Sequence, residues 1–364
     1  MKFRCERDVL LEALTTAGRA TAGRSASHPV LTGVRLSLEG DRLELTGTDH
    51  DLTITATTTV AGIDDGVAVF PAKLGADIVR ALSPGAVTVE IGDDQAQISA
   101  GRSEFSIRLI PATEFPVLSP PPESQVQLPA EVLADALRQV VKAASADDAR
   151  PILTGVLLAA EETGLRLVAT DSYRLAVRDL PGTTVLGEGQ QVLIPSRALG
   201  ELTRLLGDLE TVTLRLGERE AVFELGELTL STRLIEGEFP NYRGLIPEQH
   251  SNTLTINREA LLEAVRRVRL LARESTPIRL AMSADGLALR AVTQDVGEAT
   301  DQIDADFVGN ELEIAFNPEY LIEGAEVALG EEVVLHTEDA LKPALLTAVG
   351  DEEFVYLLMP VRVS

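Results

Sequence analysis

Alternation of apolar and polar residues predicts strands in all parts of the chain. Segments 43–46, 165–168 and 211–214 each alternate with a period of two. Residues two apart in a strand face the same side of a sheet, so these segments indicate sheets with one buried face. Glycine and aspartate residues separate the strands and indicate turns.

Apolar residues three and four positions apart predict amphipathic helices beside these strands. In each third of the chain the first such helix begins near Glu6, Ala130 or Arg258. The apolar stripe of the third helix consists of Leu261, Val265, Val268 and Ala272. A stripe of this kind packs inward against a sheet.

A second helix in each third is indicated by proline at matching positions. Pro71, Pro195 and Pro318 follow strand-like residues at spacings of 124 and 123. Proline is favoured in the first turn of a helix, so each of these positions predicts a helix start. Each third therefore contains two similar halves of helix and strands, and the predicted fold class is α+β.

Internal repeats support three tandem domains. The residues PVLTGV at 29–34 recur as PILTGV at 151–156, and Thr48-Asp49 recurs as Thr170-Asp171, both at an offset of 122. A weaker copy relates GLRL at 164–167 to GLAL at 286–289. Self-similarity at a fixed period is typical of repeated structural units. The proline-dense stretch 116–124 is the best linker, with a second break at 246–252, and we predict domains at 1–117, 126–247 and 250–364.

Composition limits the function classes. The net charge of −25 predicts that most of the surface repels nucleic acid and anionic membranes. No apolar run approaches the ~20 residues of a membrane-spanning helix, and the first residues lack a signal-peptide core, so we expect a cytoplasmic protein without membrane contact. Cys5 is the single cysteine, which excludes an internal disulfide and a multi-cysteine metal site.

Basic residues recur on one face of several predicted helices, at spacings of three, four or seven. These positions are Lys73 and Arg80, Arg138 and Lys142, Arg197 and Arg204, and Arg266, Arg269 and Arg273. On any single helix the spacing is more typical of a solvated face interleaved with acids such as Asp77, Asp135 and Glu201. Repetition favours contact with the phosphates of double-stranded DNA, without reading of bases. Aromatic residues make up only 4% of the chain, which argues against stacking on single strands.

Three motifs in this order carry a resemblance to a known family. They are ATDSYRLA at 169–176, EFPNYR at 238–243 and YLLMPVR at 356–362. Together with the triple repeat they resemble the bacterial β sliding clamps of DNA polymerase III. The resemblance implies a head-to-tail homodimer whose six domains form a ring on duplex DNA, with twelve helices inside and sheets outside. It also implies a processivity factor without enzyme activity or cofactor.

The resemblance further implies a peptide-binding groove. Its partners would be the polymerase III alpha subunit, the clamp loader delta subunit and other clamp-motif proteins. Carried over by position, the groove residues are Leu153, Thr170, Ser172, Tyr173, Arg174, Leu175, Pro240, Leu245, Pro343, Leu358, Met359, Pro360, Val361 and Arg362. Each apolar member alone is more typical of a core, and Arg174 and Arg362 could equally be structural charges.

Other positions of the family concern DNA and the subunit interface. Arg24 and Arg150 match loop positions that touch DNA, and Phe105, Leu270 and Leu271 match the subunit interface. The sixth predicted helix departs from a basic lining, because it carries Glu319, Glu323 and Glu326 and no basic residue. Either these acids face away from DNA, or the ring holds DNA more loosely.

Two rival hypotheses remain open from the residues. His50 between Asp49 and Asp51 would suit metal binding or general-base chemistry. However, the corresponding repeat position has no histidine, and no Walker, His-Glu-x-x-His or Gly-x-Ser-x-Gly motif occurs, so turn chemistry is favoured and we expect no metal. The second rival is a specialised paralogous clamp with altered partners or inhibitor sensitivity.

Overall fold

The computed structural model describes residues 1–23, 28–247, 249–272 and 276–362. The α-helices in these residues are α1 (Arg7–Gly18), α2 (Ala72–Ala81), α3 (Ala130–Val140), α4 (Ser196–Leu206), α5 (Arg258–Val268) and α6 (Pro318–Val327). All six of these helices begin at or within one residue of the predicted starts. Only Pro318 lies in the first turn of its helix, however, because Pro71 and Pro195 end strands one residue before α2 and α4. None of the helices in the described ranges is long and apolar enough to cross a membrane.

Strands make up much of the remainder. In chain order they are β1 (Lys2–Glu6), β2 (Gly33–Glu39), β3 (Arg42–Thr48), β4 (Leu52–Thr59), β5 (Ala61–Asp64), β6 (Gly66–Pro71), β7 (Ala86–Ile91), β8 (Gln95–Ala100), β9 (Ser103–Arg108), β10 (Gln125–Pro129), β11 (Gly155–Glu161), β12 (Gly164–Thr170), β13 (Arg174–Pro181), β14 (Gln191–Pro195), β15 (Thr211–Leu216), β16 (Glu220–Leu225), β17 (Leu228–Arg233), β18 (Asn252–Asn257), β19 (Ile278–Ser283), β20 (Gly286–Thr293), β21 (Gly297–Ile303), β22 (Asp306–Val308), β23 (Leu312–Phe316), β24 (Glu332–Thr337), β25 (Ala344–Ala348) and β26 (Asp351–Leu358). The three alternating segments lie in β3, β12 and β15, as predicted. The stretch 116–124 contains no helix or strand.

Local chemistry explains the helix starts. The side chain of Asn257 accepts a hydrogen bond from the backbone of Ala260 and caps α5, while Asn317 accepts one from Glu319 and caps α6. The predicted stripe of α5 is too long by one residue. Leu261, Val265 and Val268 are buried, but α5 ends at Val268 and Ala272 follows a separate 3-10 helix, Arg269–Leu271.

The chain forms two compact units, and the predicted central domain contributes to both. The first unit contains residues 1–131 and 201–234, and the second contains residues 132–200 and 235–364. The boundaries 1–117, 126–247 and 250–364 stay a prediction.

The first unit contains two antiparallel sheets, ordered β5-β1-β7-β8-β9 and β10-β15-β16-β17-β4-β3-β2-β6. In the second of these sheets β17 pairs with β4, so strands from two predicted domains share one sheet. Leu10 and Leu14 of α1 and Val79 of α2 join the main apolar core beneath the strands.

The second unit contains sheets ordered β14-β11-β12-β13-β26-β25-β24-β18-β22 and β21-β20-β19-β23. Here β13 pairs with β26, with Arg174 opposite Leu358. One buried cluster on this sheet includes Leu175, Phe239, Tyr242 and Leu357. At α6, Gly324 packs against the buried ring of Tyr356, and an added Cβ would lie 2.5 Å from its Cδ1 atom.

A repeated turn supports the three-fold pattern. His50, Ser172 and Asp295 adopt left-handed backbone conformations, with φ of 82°, 81° and 62°. These positions are 122 and 123 residues apart, as the sequence repeats are. In the second copy the hydroxyl of Thr170 accepts from the backbone of Ser172 at 3.1 Å, and the hydroxyl of Thr48 accepts likewise from His50 at 3.2 Å. The Thr-Asp pair therefore recurs because it holds a strained turn.

Candidate functional site

A cleft of about 550 Å³ lies in the second unit, where β13, β26 and α6 meet. Its lining consists of Tyr173, Thr276, Pro277, Asn317, Pro318, Tyr320, Met359, Pro360 and Val361. Aromatic rings, prolines and a methionine dominate this wall. Such a surface accepts apolar side chains of a ligand with little loss of hydrogen bonding, and methionine adapts to ligands of different shape.

Backbone pairing holds one wall of the cleft. The amide of Met359 donates to the carbonyl of Tyr173 at 2.9 Å, which continues the β13–β26 ladder beyond its end, and the amide of Val361 donates to Ala315 at 2.8 Å. The left-handed residue Ser172 turns the chain just before β13, and the Tyr173 side chain is 60% exposed. The sequence therefore fixes an aromatic side chain at the mouth of the cleft through a turn and a strand.

Arg174 braces the cleft from behind. Only 8% of the surface of Arg174 is exposed. Its Nε donates to Asp171 at 3.1 Å, its Nη1 pairs with Glu323 and donates to the Tyr356 hydroxyl at 3.2 Å, and its Nη2 donates to the carbonyl of Lys142. The guanidinium also lies over the ring of Tyr320, which lines the cleft. All three guanidinium nitrogens of Arg174 thus have hydrogen-bond acceptors, and the buried charge supports Tyr320.

Electrostatics keep this network charged. Burial opposes the charge of Arg174, but Tyr356 and Glu323 outweigh burial and raise the pKa of Arg174. Burial raises the pKa of the Tyr356 phenol well above its ordinary value, although Arg174 opposes that rise. The phenol therefore stays neutral and can accept the hydrogen bond from Arg174 at neutral pH.

The other predicted groove residues fall into two groups. Leu153, Thr170, Leu175 and Leu358 are buried, whereas Ser172, Pro240, Leu245, Pro343 and Arg362 are exposed or half-buried outside the lining of the cleft. Tyr173, Met359, Pro360 and Val361 are brought together. Contact of the remaining residues with a peptide stays a prediction.

The sequence did not predict that residues in and around α6 line the cleft. Thr276, Pro277, Asn317, Pro318 and Tyr320 were not expected there. Asn317 and Pro318 carried a signal, since they predicted a helix start, and Tyr320 follows in the first turn of that helix. A helix start beside an end of a sheet is a common place for a binding site, but the sequence did not indicate which sheet.

The predicted DNA-contacting cations that the structure describes are exposed. They are Lys73, Arg80, Arg138, Lys142, Arg150, Arg197, Arg204, Arg266 and Arg269. Arg24 and Arg273 lie outside the described residues. Four of these cations pair with an acid three residues earlier in the chain: Arg80 with Asp77 at 2.6 Å, Arg150 with Asp147 at 3.0 Å, Arg204 with Glu201 and Arg138 with Asp135. Interleaved acids therefore moderate these stripes, as the alternative of a solvated face anticipated.

The acids of α6 pair with cations elsewhere in the second unit. Glu326 pairs with Arg266 at 2.8 Å and with Lys142 at 3.4 Å. Glu319 pairs with Arg269 at 2.8 Å. These acids point toward the predicted cations, so they do not simply face away from them.

The predicted interface residues lie close to sheet edges. Phe105 is on β9, the edge strand of the five-stranded sheet of the first unit. Leu270 is 83% exposed, and the carbonyl of the half-buried Leu271 accepts from the hydroxyl of Thr293 at the end of β20. The neighbouring strand β21 is an edge of the four-stranded sheet. Among the described residues of a single chain, β9 and β21 therefore each pair on one side only and leave a backbone edge open.

His50 is explained by its turn. It occupies the left-handed position that Ser172 and Asp295 occupy in the other copies, and its ring packs edge-on against His28. Within the described residues, no group of three or more His, Cys, Asp or Glu is arranged to hold a metal ion.

Comparison with known proteins covers the chain from end to end. It matches the family descriptions "DNA polymerase III beta subunit, N-terminal domain" at residues 1–119, "central domain" at 127–241 and "C-terminal domain" at 243–362. A beta sliding clamp of Streptomyces coelicolor is 35% identical over 376 residues, covering 100% of both chains. The Bacillus subtilis beta sliding clamp is 31% identical over 377 residues, with the same coverage.

Solved structures agree with these relatives. The DNA polymerase sliding clamp of Bacillus subtilis superposes with a TM-score of 0.92 at 30% identity, over 100% of both chains. A sliding clamp of Bartonella birtlesii bound to griselimycin gives 0.93 at 31% identity, again over 100% of both chains. A Pseudomonas aeruginosa clamp bound to griselimycin gives 0.91 at 29% identity with full coverage.

Proposed function

Because the chain belongs to the bacterial DNA polymerase III beta subunit family of sliding clamps, we propose that two copies close head to tail around duplex DNA and tether polymerase through the cleft beside Tyr173. The chain is a processivity clamp, a non-catalytic accessory subunit in DNA replication. Full-length similarity to replicative clamps disfavours the specialised paralogue.

The apolar cleft is the observation that best supports tethering of a polymerase. It joins Tyr173, Tyr320, Pro318 and Met359 in one wall. A partner segment with a leucine and an aromatic residue would bury both there, and buried anchors of this kind dominate the affinity of protein interfaces. Griselimycin-bound clamps among the structural neighbours support a ligand groove in this fold. We propose the polymerase III alpha subunit, the clamp loader delta subunit and other clamp-motif proteins as occupants.

Two unpaired sheet edges support ring closure. Strand β9 of one copy can pair with β21 of the next, which would join a five-stranded and a four-stranded sheet into nine strands. Phe105 on β9 and the exposed Leu270 would then supply apolar contact at the seam. An interface between two different surfaces is heterologous, and such interfaces give a closed ring when the rotation closes.

DNA contact would be weak and independent of sequence. Within the closed ring we propose that Arg24, Lys73, Arg80, Arg138, Lys142, Arg150, Arg197, Arg204, Arg266 and Arg269 face phosphates. Phosphate contacts position a protein but carry no base information. Processivity then comes from topology, because a ring cannot leave a closed circle and holds its partner at a high local concentration near the template.

A loading experiment tests the ring. Labelled protein is loaded by its cognate clamp loader and ATP onto nicked circular DNA, and retention is measured before and after the circle is linearised. We expect retention on the circle and loss from the linear form. Leu270→Asp, which places a charge at the proposed seam, should abolish retention. The matched change Val349→Asp, at an exposed apolar position outside the two strands of the proposed seam, should not. Equal retention on circle and linear DNA would overturn topological binding.

The same circular DNA tests whether the loaded clamp tethers polymerase. Polymerase added to loaded clamp should extend a primer processively, and a cleft variant, Met359→Asp, should load poorly and fail to stimulate it. Stimulation equal to that of the unchanged protein would remove the cleft from the proposed function.

A further inference from the structure

Glu326, in the last turn of α6, binds two predicted DNA cations at once. Its Oε1 atom lies 2.8 Å from Nη2 of Arg266, and its Oε2 atom lies 3.4 Å from Nζ of Lys142. Arg266 is on α5, and Lys142 is on the 3-10 helix Val141–Ala143 that follows α3. One carboxylate therefore connects three separate elements of the second unit.

These ion pairs differ from the other pairs on the cationic surface. The partners of Arg80, Arg138 and Arg204 are three residues away on the same helix, an arrangement that any solvated helix face produces. Glu326 is 184 residues from Lys142 and 60 residues from Arg266, so only the folded unit brings them together. Glu319, seven residues before Glu326 on the same helix, reaches Arg269 in the same way.

Glu326 carries its charge at neutral pH. Partial burial opposes ionisation, but the hydrogen bond from Arg266 and the charge of Lys142 outweigh burial and lower the pKa of Glu326. The partners remain about half exposed, with side-chain exposures of 49% for Arg266 and 53% for Lys142. Exposed pairs are weak, so a DNA phosphate can replace the carboxylate.

A cation that is already paired contributes less to DNA binding. Binding to DNA is driven by release of counterions from phosphates that the protein neutralises. When Arg266 or Lys142 moves to a phosphate, Glu326 is left without its partner, and this loss offsets part of the gain. Glu326 thus competes with the DNA backbone for the same two cations.

We propose that Glu326 is an intramolecular competitor of DNA phosphate that limits how tightly Lys142 and Arg266 hold the duplex, and so keeps the clamp free to slide. The inference rests on the proposed function, because it assumes that these cations meet DNA. Glu319 has the same role toward Arg269. Glu319 and Glu326 of α6 are thereby part of the DNA-contacting surface and lower its affinity.

The test measures binding of the full-length protein to a labelled linear duplex by fluorescence anisotropy across a salt series. Glu326→Gln should tighten binding about 5-fold at low salt and steepen the slope of log K against log salt by up to about 2, since each phosphate contact contributes ~0.9. Glu319→Gln should give a smaller change of the same sign. Glu352→Gln, at an exposed position of β26, is the control for one unit of net charge and should change neither quantity.

A combined variant isolates the mechanism. In a Lys142→Gln, Arg266→Gln background, Glu326→Gln should have no further effect, because the cations that it restrains are gone. If Glu326→Gln alone leaves affinity and salt slope equal to those of the Glu352→Gln control while the double cation variant weakens binding, the inference is wrong and the DNA contact stands. If adding Lys142→Gln and Arg266→Gln to the Glu326→Gln protein does not weaken DNA binding either, these two cations do not contact DNA. The inference then fails together with the proposal that Lys142 and Arg266 bind phosphates.

Retention on circular DNA distinguishes failure of the inference about Glu326 from failure of the protein to close a ring around DNA. The Glu326→Gln protein should still be retained on circles and lost from linear DNA, with slower loss than the unchanged protein. Loss at the unchanged rate overturns the inference, whereas failure of every variant and of the unchanged protein to be retained overturns the ring.

Discussion

The guanidinium carbon of Arg174 lies 4.4 Å from the ring centroid of Tyr320, so a buried charge supports an aromatic wall of the cleft. The same guanidinium holds Asp171, Glu323 and Tyr356. The stability of the second unit and the shape of the cleft wall therefore depend on one side chain.

Replacing Arg174 with Leu should destabilise the second unit by about 3–5 kcal/mol, because Asp171 and Glu323 would be left as buried or half-buried charges without their partner. Arg174→Lys should recover only part of this loss, since an ammonium cannot donate from a planar fork to several acceptors. Urea unfolding followed by fluorescence of the tyrosines measures both. A loss below 1 kcal/mol in the Leu variant would contradict the bracing role.

Met359→Asp should weaken binding of a peptide containing leucine and an aromatic residue by at least ~10-fold, because a charge would enter an apolar wall. Anisotropy of a labelled peptide gives the affinity. Val349→Asp is the matched control, since Val349 is an exposed apolar residue in the turn between β25 and β26, at the end of β26 far from Met359. Equal losses in both variants would point to a general effect of charge.

Gly324→Ala should lower stability by about 1–3 kcal/mol although alanine is the better helix former, because the new Cβ would overlap the Tyr356 ring. Gly200→Ala on α4 provides the opposite expectation. Its added Cβ would lie 3.8 Å from Val141, an ordinary contact, so a gain of ~0.5–1 kcal/mol is expected. The thermal unfolding midpoints of both variants, compared with that of the unchanged protein, test the two expectations. A stabilised Gly324→Ala protein would refute the packing argument.

Cys5 should react slowly with iodoacetamide, because burial, assisted by the charge of Glu6, raises the pKa of its thiol to about 11 from the usual 9.0. At pH 8 the thiolate fraction would be ~100-fold below that of an unperturbed thiol, and denaturant should restore rapid labelling. The raised pKa also means that the folded chain keeps this proton longer. The contribution of this proton to the free energy of unfolding is fully present below pH 9 and is lost as the pH rises toward 11. Labelling at the same rate in folded and unfolded protein would contradict the burial of Cys5.

The sequence predicted local features well where one segment determines them. Thr48-Asp49 and Thr170-Asp171 recur because the threonine and aspartate side chains bond the next backbone amides, and the turn needs no distant residue. Pro318 with Asn317 predicted the start of α6 for the same reason. Ala272 was assigned to the wrong element because an apolar period can continue past the point where α5 becomes a 3-10 helix.

Long-range partners could not be predicted in this way. The spacing of Lys142 and Arg266 indicated cationic faces, but it carried no information that both would meet Glu326. Tyr320 was missed for the same reason, since it lines the cleft beside Tyr173 and Met359, which the distant pairing of β13 with β26 brings together. Arg174, placed in the groove by resemblance, contacts Tyr320 of the cleft lining, and its contact with a peptide stays a prediction.

Strand β13 has β12 on one side and β26 on the other. A fragment that stopped before residue 250 would retain β13 and lose β26, which leaves a row of unpaired amides and carbonyls beside buried leucines. Such an edge is a template for pairing with other molecules. Proteolytic or engineered fragments that keep β13 but lose β26 should therefore be prone to aggregate, and the intact chain covers that edge with its own strand.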